Sequence, residues 1–324
     1  MSGISQSGKK RLVLVSGRTH PGLAQEIADN LGTGLVPTNI VTFANSEIYV
    51  RFDESIRGSD AFVIQSHDRP VNESLMEQLI MVDALKRASA KRITAVVPCY
   101  PYARQDKKHR GREPISARLV ADMFKAAGAD RIMSVDLHSP QIQGFFDGPV
   151  DHLFAQPTLL DHFASQTFDD LTIVSPDMGR VKVADSWADK LGAPLAIIHK
   201  RRDPLVPNKA TAHEIVGNVD GRTCLIVDDL IDTAGTIQAA AHALKEHGAS
   251  RVIVAATHAV FSAPAVERLS SADIDQVVVT NTLPIGPEKQ FPGLTVLSIA
   301  PLISQAIHEV FEDGSVTSMF DGQS

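Results

Sequence analysis

Two adjacent carboxylates, Asp228 and Asp229, stand between an apolar run and a run of small hydroxyl residues in Cys224–Thr236, CLIVDDLIDTAGT. Cys224–Val227 reads as a short buried strand. Asp232, Thr233, Ala234, Gly235 and Thr236 read as a tight turn, and Ile237, Ala241 and Leu244 recur at helical spacing directly after it. Strand, small-residue turn and helix N-terminus together form an anion cradle, where backbone N–H groups and the positive end of the helix dipole converge. Carboxylates beside such a cradle would repel a phosphate, so they need another partner. Sugar hydroxyls or a metal ion are the two options, and the pattern points to a sugar phosphate held at both ends.

Other clusters follow strand-like runs. Asp136-Leu137-His138 ends the run Arg131–Val135, and alternation puts Asp136 and His138 on one face with Leu137 on the other. An acid and an imidazole at a strand's carboxyl end occupy the usual ligand crevice of an open α/β sheet. Asp147 and Asp151 lie close enough in sequence to add oxygen ligands; taken alone, the pattern is equally that of a capped loop. Ser175-Pro176-Asp177-Met178-Gly179-Arg180 follows strand 171–174 and opens a helix, so Asp177 either caps that helix or holds a metal over a second anion site. His199-Lys200-Arg201-Arg202-Asp203 follows strand 195–198 and leads to His213 through a stretch with no helical or strand period, the profile of a functional lid. In the basic run Arg104–Arg112, Arg104 and Gln105 lie nearest strand 93–97 and are the best placed to touch a ligand.

The elements that carry these residues alternate helix and strand along the chain. Strands are expected at Arg11–Ser16, Ala61–Gln65, Ile93–Val97 and Arg131–Val135, with helices marked by Leu23, Ile27 and Leu31, by an Asn72 cap, and by Pro114 in a first turn. The rhythm restarts near residues 150–170, with helix Val181–Leu191 closed by Gly192 and strands at Val252–Ala256 and Gln276–Thr280. The class is therefore α/β: two similar domains, 1–155 and 156–324, each a mostly parallel sheet flanked by helices. The apolar segment Val296–Phe311 could pack on either. At 324 residues and 44% hydrophobic content the chain has ample core, and a net charge of −7 argues against general nucleic-acid binding. Cys99 and Cys224 both lie in apolar runs and read as buried free thiols. The polar start MSGISQSGKK and the lack of a long apolar run imply a cytoplasmic protein with no membrane partner. No GxxxxGK[ST] loop, CxxC or HExxH occurs, and Gly32-Thr33-Gly34 follows a helix rather than a strand.

The segment from Cys224 resembles the ribose-phosphate motif of type I phosphoribosyltransferases. FANSE (Phe43–Glu47), YARQD (Tyr102–Asp106), DLHSPQIQGFF (Asp136–Phe146), SPDMGR, HKRRD and TNTLP (Thr280–Pro284) make the chain, from about residue 11 to its end, similar to the ribose-phosphate diphosphokinase family. The resemblance implies two type I phosphoribosyltransferase-like domains, usually in a homohexamer, with ATP lying partly across a subunit contact. It implies transfer of diphosphate from ATP to ribose 5-phosphate for nucleotide biosynthesis. Residue by residue, Asp228, Asp229 and Asp232, Thr233, Ala234, Gly235 and Thr236 would bind ribose 5-phosphate. His138 and Asp177, with Asp136 beside them, would hold Mg2+. Phe43, Asn45, Ser46 and Glu47 would approach adenine, Arg104 and Gln105 the rest of ATP, and Lys200 and Arg202 the reacting phosphates, Arg202 also the sugar phosphate.

The chain departs from the family pattern twice. Ala234 replaces the first glycine of a loop that commonly reads DTGGT, and alanine prefers φ below zero, so the cradle must tolerate it or change shape. Arg180 replaces the second residue of a usual glycine pair, where it would add charge near the diphosphate or block close approach. Two other functions compete. A phosphoribosyltransferase would explain Cys224–Thr236 but not the second domain or the Lys200 loop. A non-catalytic subunit should have lost charges that are all present here.

Overall fold

The computed structural model describes residues 10–168, 170–201 and 212–320, with the backbone alone at 200, 201, 212 and 213. The chain opens with β1 (Leu12–Ser16), α1 (Pro21–Asn30), β2 (Thr38–Thr42), β3 (Ile48–Phe52), β4 (Asp60–Ile64), α2 (Val71–Arg87), β5 (Arg92–Val97), α3 (Ser116–Ala127), β6 (Arg131–Val135) and β7 (Val150–Leu153). There follow α4 (Gln156–Ala164), β8 (Leu171–Ser175), α5 (Val181–Leu191), β9 (Leu195–Arg201), β10 (Ala212–Val216), β11 (Thr223–Ile231), α6 (Gly235–Glu246), β12 (Arg251–Ala259), α7 (Ala265–Leu269), β13 (Gln276–Thr280), β14 (Leu294–Leu297) and α8 (Ala300–Phe311). Two compact units result, one from the chain up to Phe154 together with the segment from Ala300 onward, the other from Ala155–Ile299. Among the described residues no helix is long and apolar enough to cross a membrane.

The first unit holds a sheet in the order β1-β4-β5-β6-β7, every pair parallel. All five residues of β4 are buried, as a strand covered on both faces requires. Val15, Val63, Ala95, Val120 and Phe124 belong to one core cluster here. The α8 helix, whose apolar run could serve either half, packs on α1, where Ser304 Oγ, donating to the Ala300 carbonyl at 2.7 Å, lies 3.4 Å from the carbonyl of Ile27. Strands β2 and β3 form a separate antiparallel hairpin.

The second unit holds a sheet in the order β10-β9-β8-β11-β12-β13-β14, parallel except where β10 runs against β9. From β8 the chain steps outward to β9, then returns to β11 on the other side. The winding thus reverses between β8 and β11, where ligands bind in open α/β sheets. β11 pairs with β8 only as far as Ile226↔Val174, yet it follows β12 to Ile231↔Ala259. Beyond Ile226, therefore, β11 carries no ladder on its β8 side among the described residues.

Several elements differ from the sequence expectation. Strand β11 runs through Asp228 and Asp229 to Ile231, so the acids lie inside a strand rather than after it. Its register with β12, buried from Val252 to Ala259, holds the longer extension straight. Asn72 lies within α2, whose cap is Pro70, and its side chain accepts a hydrogen bond from the Tyr102 hydroxyl. Pro114 precedes the cap Ile115 of α3 rather than entering its first turn. The stretch after Ile198 continues as β9 to Arg201 and returns as β10, an antiparallel pair with Arg201 opposite Ala212. The β2–β3 hairpin, β7, α4 and β14 carried no recognised signal. Cys99 and Cys224 are buried and unpaired, and burial pushes the Cys224 thiol up to about 11.

Candidate active site

The crevice of the second unit begins with Asp228 and Asp229, whose side chains are 15% and 11% exposed. Arg180, at the N-cap of α5, reaches both from the loop after β8. Its Nε lies 3.3 Å from Asp228 Oδ1 and its Nη2 2.6 Å from Asp229 Oδ1. The Asp228 Oδ1 atom also accepts the backbone N–H of Asp229 at 2.8 Å. Burial pushes the Asp228 carboxyl well above its ordinary range and the adjacent Asp229 carboxylate pushes the same way, while Arg180 pulls it back. The acids lie on the β11 segment that outruns β8, so the crevice and the charge cluster share one cause.

The small-residue turn lies at the other end of the crevice. Ala234 is the N-cap of α6, with φ 58° and ψ 12°, and no side chain caps this helix among the described residues. The N-terminal N–H groups of α6 thus face the turn with the positive end of the helix dipole, an anion site by construction. The expectation that Ala234 keeps φ below zero is overturned: the cradle imposes the left-handed region on a buried alanine, at a cost of roughly 1–2 kcal/mol for an L-residue. Arg268, on α7, donates from Nη1 to the carbonyl of Thr233 at 2.9 Å. A Cβ on Gly235 would lie 3.3 Å from that same nitrogen, a tight contact from which the Arg268 side chain would have to shift by a few tenths of an ångström.

Asp177 sits in the exposed loop between β8 and α5, where its Oδ1 accepts the backbone N–H of Gly179 at 2.8 Å and of Arg180 at 3.2 Å. It shapes the turn that delivers Arg180, although the helix cap itself is Arg180. Lys200 stands in β9, one residue before the strand's end; its side chain and all of Arg202 lie outside the described residues.

In the first unit, Phe43 to Glu47 form the tip of the β2–β3 hairpin, and every one of them is exposed. Ser46 takes φ 71°, Phe43 and Glu47 close the turn through a 2.8 Å backbone bond, and Asn45 Oδ1 accepts the Glu47 N–H at 3.2 Å. Arg104 and Gln105 are exposed after β5, and Gln105 Oε1 accepts from Ser116 Oγ at 2.6 Å. Asp136 lies past the end of β6 with φ 38°, so strand alternation does not govern it. Leu137 is nonetheless core, while Asp136 and His138 are half-buried. The Leu137 N–H donates to His152 Nε2 at 2.9 Å, which fixes this turn. Asp151 is not a neighbour of Asp136: it faces Met133 early in β7 and is bound by Arg131 Nη1 at 2.7 and 2.8 Å. The sheet of this unit also shows no reversal of winding at β6.

Residues 12–128 match the family described as the N-terminal domain of ribose phosphate pyrophosphokinase, and residues 204–321 the phosphoribosyl synthetase-associated domain. A ribose-phosphate pyrophosphokinase of Streptomyces coelicolor is 63% identical over 324 residues, all of both chains. One from Mycobacterium tuberculosis is 60% identical over 317 residues, 97% of each chain. The chain belongs to the ribose-phosphate pyrophosphokinase family. The crystal structure of phosphoribosylpyrophosphate synthetase from Mycobacterium smegmatis is 59% identical and superposes with a TM-score of 0.88, covering 94% of this chain and 100% of that one.

In this chain, sequence reasoning had placed Arg180 near the diphosphate or as a block to close approach, not on the acid pair, and had missed Arg268. Arg180 was detectable as a charge where a glycine is usual, but its bond to both acids needed the reversal between β8 and β11. Arg268 offers no local signal, since it reaches the turn from a five-residue helix more than thirty residues away.

Proposed function

We propose that this chain transfers diphosphate from ATP to the anomeric hydroxyl of D-ribose 5-phosphate, giving 5-phospho-α-D-ribose 1-diphosphate and AMP. The observation that carries this reading is the crevice between β8 and β11, with paired carboxylates beside an uncapped helix N-terminus, in a chain of this family. Asp228 and Asp229 take the ribose hydroxyls, as acceptor-only groups do. Asp232, Thr233, Ala234, Gly235 and Thr236 with the start of α6 take the 5-phosphate. Phe43, Asn45, Ser46 and Glu47 take the adenine end of ATP, and Arg104 and Gln105 its charged end. Lys200 and Arg202 act at the reacting phosphates, Arg202 also on the sugar phosphate.

In the reaction the anomeric oxygen forms a bond to the β-phosphorus while the bond from that phosphorus to the oxygen bridging the α-phosphate breaks. AMP leaves with the bridging oxygen, and the hydroxyl proton passes to solvent. Such transfers depend on in-line positioning and charge neutralisation, the part this reading gives to Lys200 and Arg202. Mg2+ takes one or two protein carboxylates together with substrate phosphates and water rather than a protein cage. Asp177, with Oδ1 engaged by two N–H groups and Oδ2 left for a cation, is a donor of that kind, and His138 with Asp136 offers a second position. No cluster of three or more His, Cys, Asp or Glu side chains suited to a metal occurs among the described residues. When bound, Mg2+ would offset phosphate charge on ATP.

The working form is a cytoplasmic homo-oligomer, six copies by family resemblance, with neither nucleic acid nor membrane as partner. The β2–β3 hairpin supports this, since Val41, Phe43 and Tyr49 are 39%, 50% and 42% exposed and would be covered by a second copy. Light scattering tests the assembly. For the reaction, the protein is mixed with ribose 5-phosphate, ATP and Mg2+ and the products are separated. AMP and phosphoribosyl diphosphate in equal amounts support the reading; ADP as the nucleotide product would overturn it.

A further inference from the structure

The arginine on the acid pair is unusual in its geometry. One edge of the Arg180 guanidinium, Nε and Nη2, meets two different carboxylates instead of both oxygens of one. The three side chains are 17%, 15% and 11% exposed, so little water screens them. A guanidinium is a rigid planar fork, and a carboxylate held at one oxygen has its second oxygen aimed by that contact. Arg180 itself is held from behind, because its backbone N–H bonds to Asp177 Oδ1 at 3.2 Å and its position at the N-cap fixes its exit from α5.

We propose that Arg180 is a positioning residue for the sugar: it sets the planes and spacing of the Asp228 and Asp229 carboxylates so that they accept the two vicinal hydroxyls of ribose 5-phosphate. This rests on the reading that those acids hold the ribose. With this edge turned to the carboxylates, Arg180 serves the acids and not the diphosphate. Its charge also opposes the burial, and the repulsion from Asp229, that push the Asp228 carboxyl up. A lysine in the same place would supply the charge without the fork.

The test compares Arg180→Gln, Arg180→Lys and Asp229→Asn with the parent enzyme, measuring KM and kcat for ribose 5-phosphate, for 2-deoxyribose 5-phosphate and for ATP. Thermal melts check that each variant is folded. Arg180→Gln is expected to raise KM for ribose 5-phosphate by roughly 10–100-fold, as loss of a positioned polar contact does, with KM for ATP within about twofold. The preference for ribose over 2-deoxyribose should shrink in step, because the hydroxyl contact is what has been lost. Arg180→Lys should recover only part of this; full recovery would mean that charge alone matters and would overturn the proposal. So would a rise confined to KM for ATP, which assigns Arg180 to the diphosphate. If Asp229→Asn weakens ribose 5-phosphate while Arg180→Gln does not, positioning by Arg180 is refuted and the sugar site stands. If Asp229→Asn also leaves ribose 5-phosphate unaffected, the sugar site itself is wrong. Should Arg180→Gln not fold, Arg180→Lys decides, since an unchanged KM and sugar preference there would refute the fork.

Discussion

Arg268 is tied to Thr233 by a 2.9 Å bond from its Nη1 to the threonine carbonyl, so α7 braces the turn that precedes α6. A guanidinium bond to a carbonyl is worth on the order of 1–2 kcal/mol when partly exposed. Arg268→Ala should therefore loosen the turn. We expect KM for ribose 5-phosphate to rise by roughly 5–20-fold on that scale, with kcat for bound substrate changed less. Steady-state kinetics at varied ribose 5-phosphate, with ATP saturating, measures it. An unchanged KM would mean that the turn holds its shape without α7.

Ala234 supplies a test with an unusual expected answer. Removing the methyl relieves a left-handed strain of roughly 1–2 kcal/mol, but it also removes a buried methyl worth about 0.8 kcal/mol and adds chain entropy of about 0.5–1 kcal/mol. Ala234→Gly should therefore shift stability by less than about 1 kcal/mol on these scales. Ala234→Val should be destabilising by more than about 2 kcal/mol, since a β-branched residue at this φ is a genuine outlier. Denaturant melts of both variants separate them, and a harmless valine would show that the turn can leave the left-handed region.

His67 predicts an acid-labile fold. It is buried, with Nε2 2.9 Å from Gln78 Oε1 and Nδ1 3.3 Å from Ser74 Oγ. Burial pulls its imidazole down from 6.5 to about 4, with the Gln78 bond opposing. Between those values the unfolded chain binds a proton that the folded chain refuses, so stability drops as pH falls from 6.5 to 4, by about 3 kcal/mol in all. His67→Gln should flatten that part of the pH profile relative to the parent. Urea midpoints across pH 4–7 are the measurement; parallel profiles would remove His67 as the cause.

Lys200 stands one residue before the end of β9 and is proposed to act at the reacting phosphates. If it stabilises charge on the phosphates being transferred, Lys200→Ala should reduce kcat by about 10²–10³-fold, the usual effect of losing one preorganised donor. KM for ATP should move far less. A variant that keeps its turnover and loses only ATP affinity would make Lys200 a binding residue and require a different source of charge stabilisation.

Cys224–Thr236 was legible because three local signals coincide there: an apolar run, paired acids and a small-residue turn before a helical period. The parallel architecture was legible from alternation alone. The β2–β3 hairpin was not, since its strands are half-exposed and carry Thr, Asn and Arg where a buried strand would carry aliphatics. The length of β11 was hidden because two acids look like a strand's end. They are tolerated inside it because β8 stops at Ser175 and Arg180 supplies the opposing charge. Asp151 looked like a companion of Asp136 by separation in sequence, and only the β6–β7 register shows that it belongs to Arg131.

The return of α8 to the first unit has a consequence for how the molecule is made. A ribosome completes β1 to β7 long before it reaches Ala300, so α1 waits for its packing partner while the whole of Ala155–Ile299 is synthesised. The second unit is contiguous and can close as it emerges, whereas the first must remain open along α1. The unit begun first is therefore finished last. Docking of α8 on α1 is the event that seals it, with Arg92 and Lys10 both clamping Asp313 just beyond.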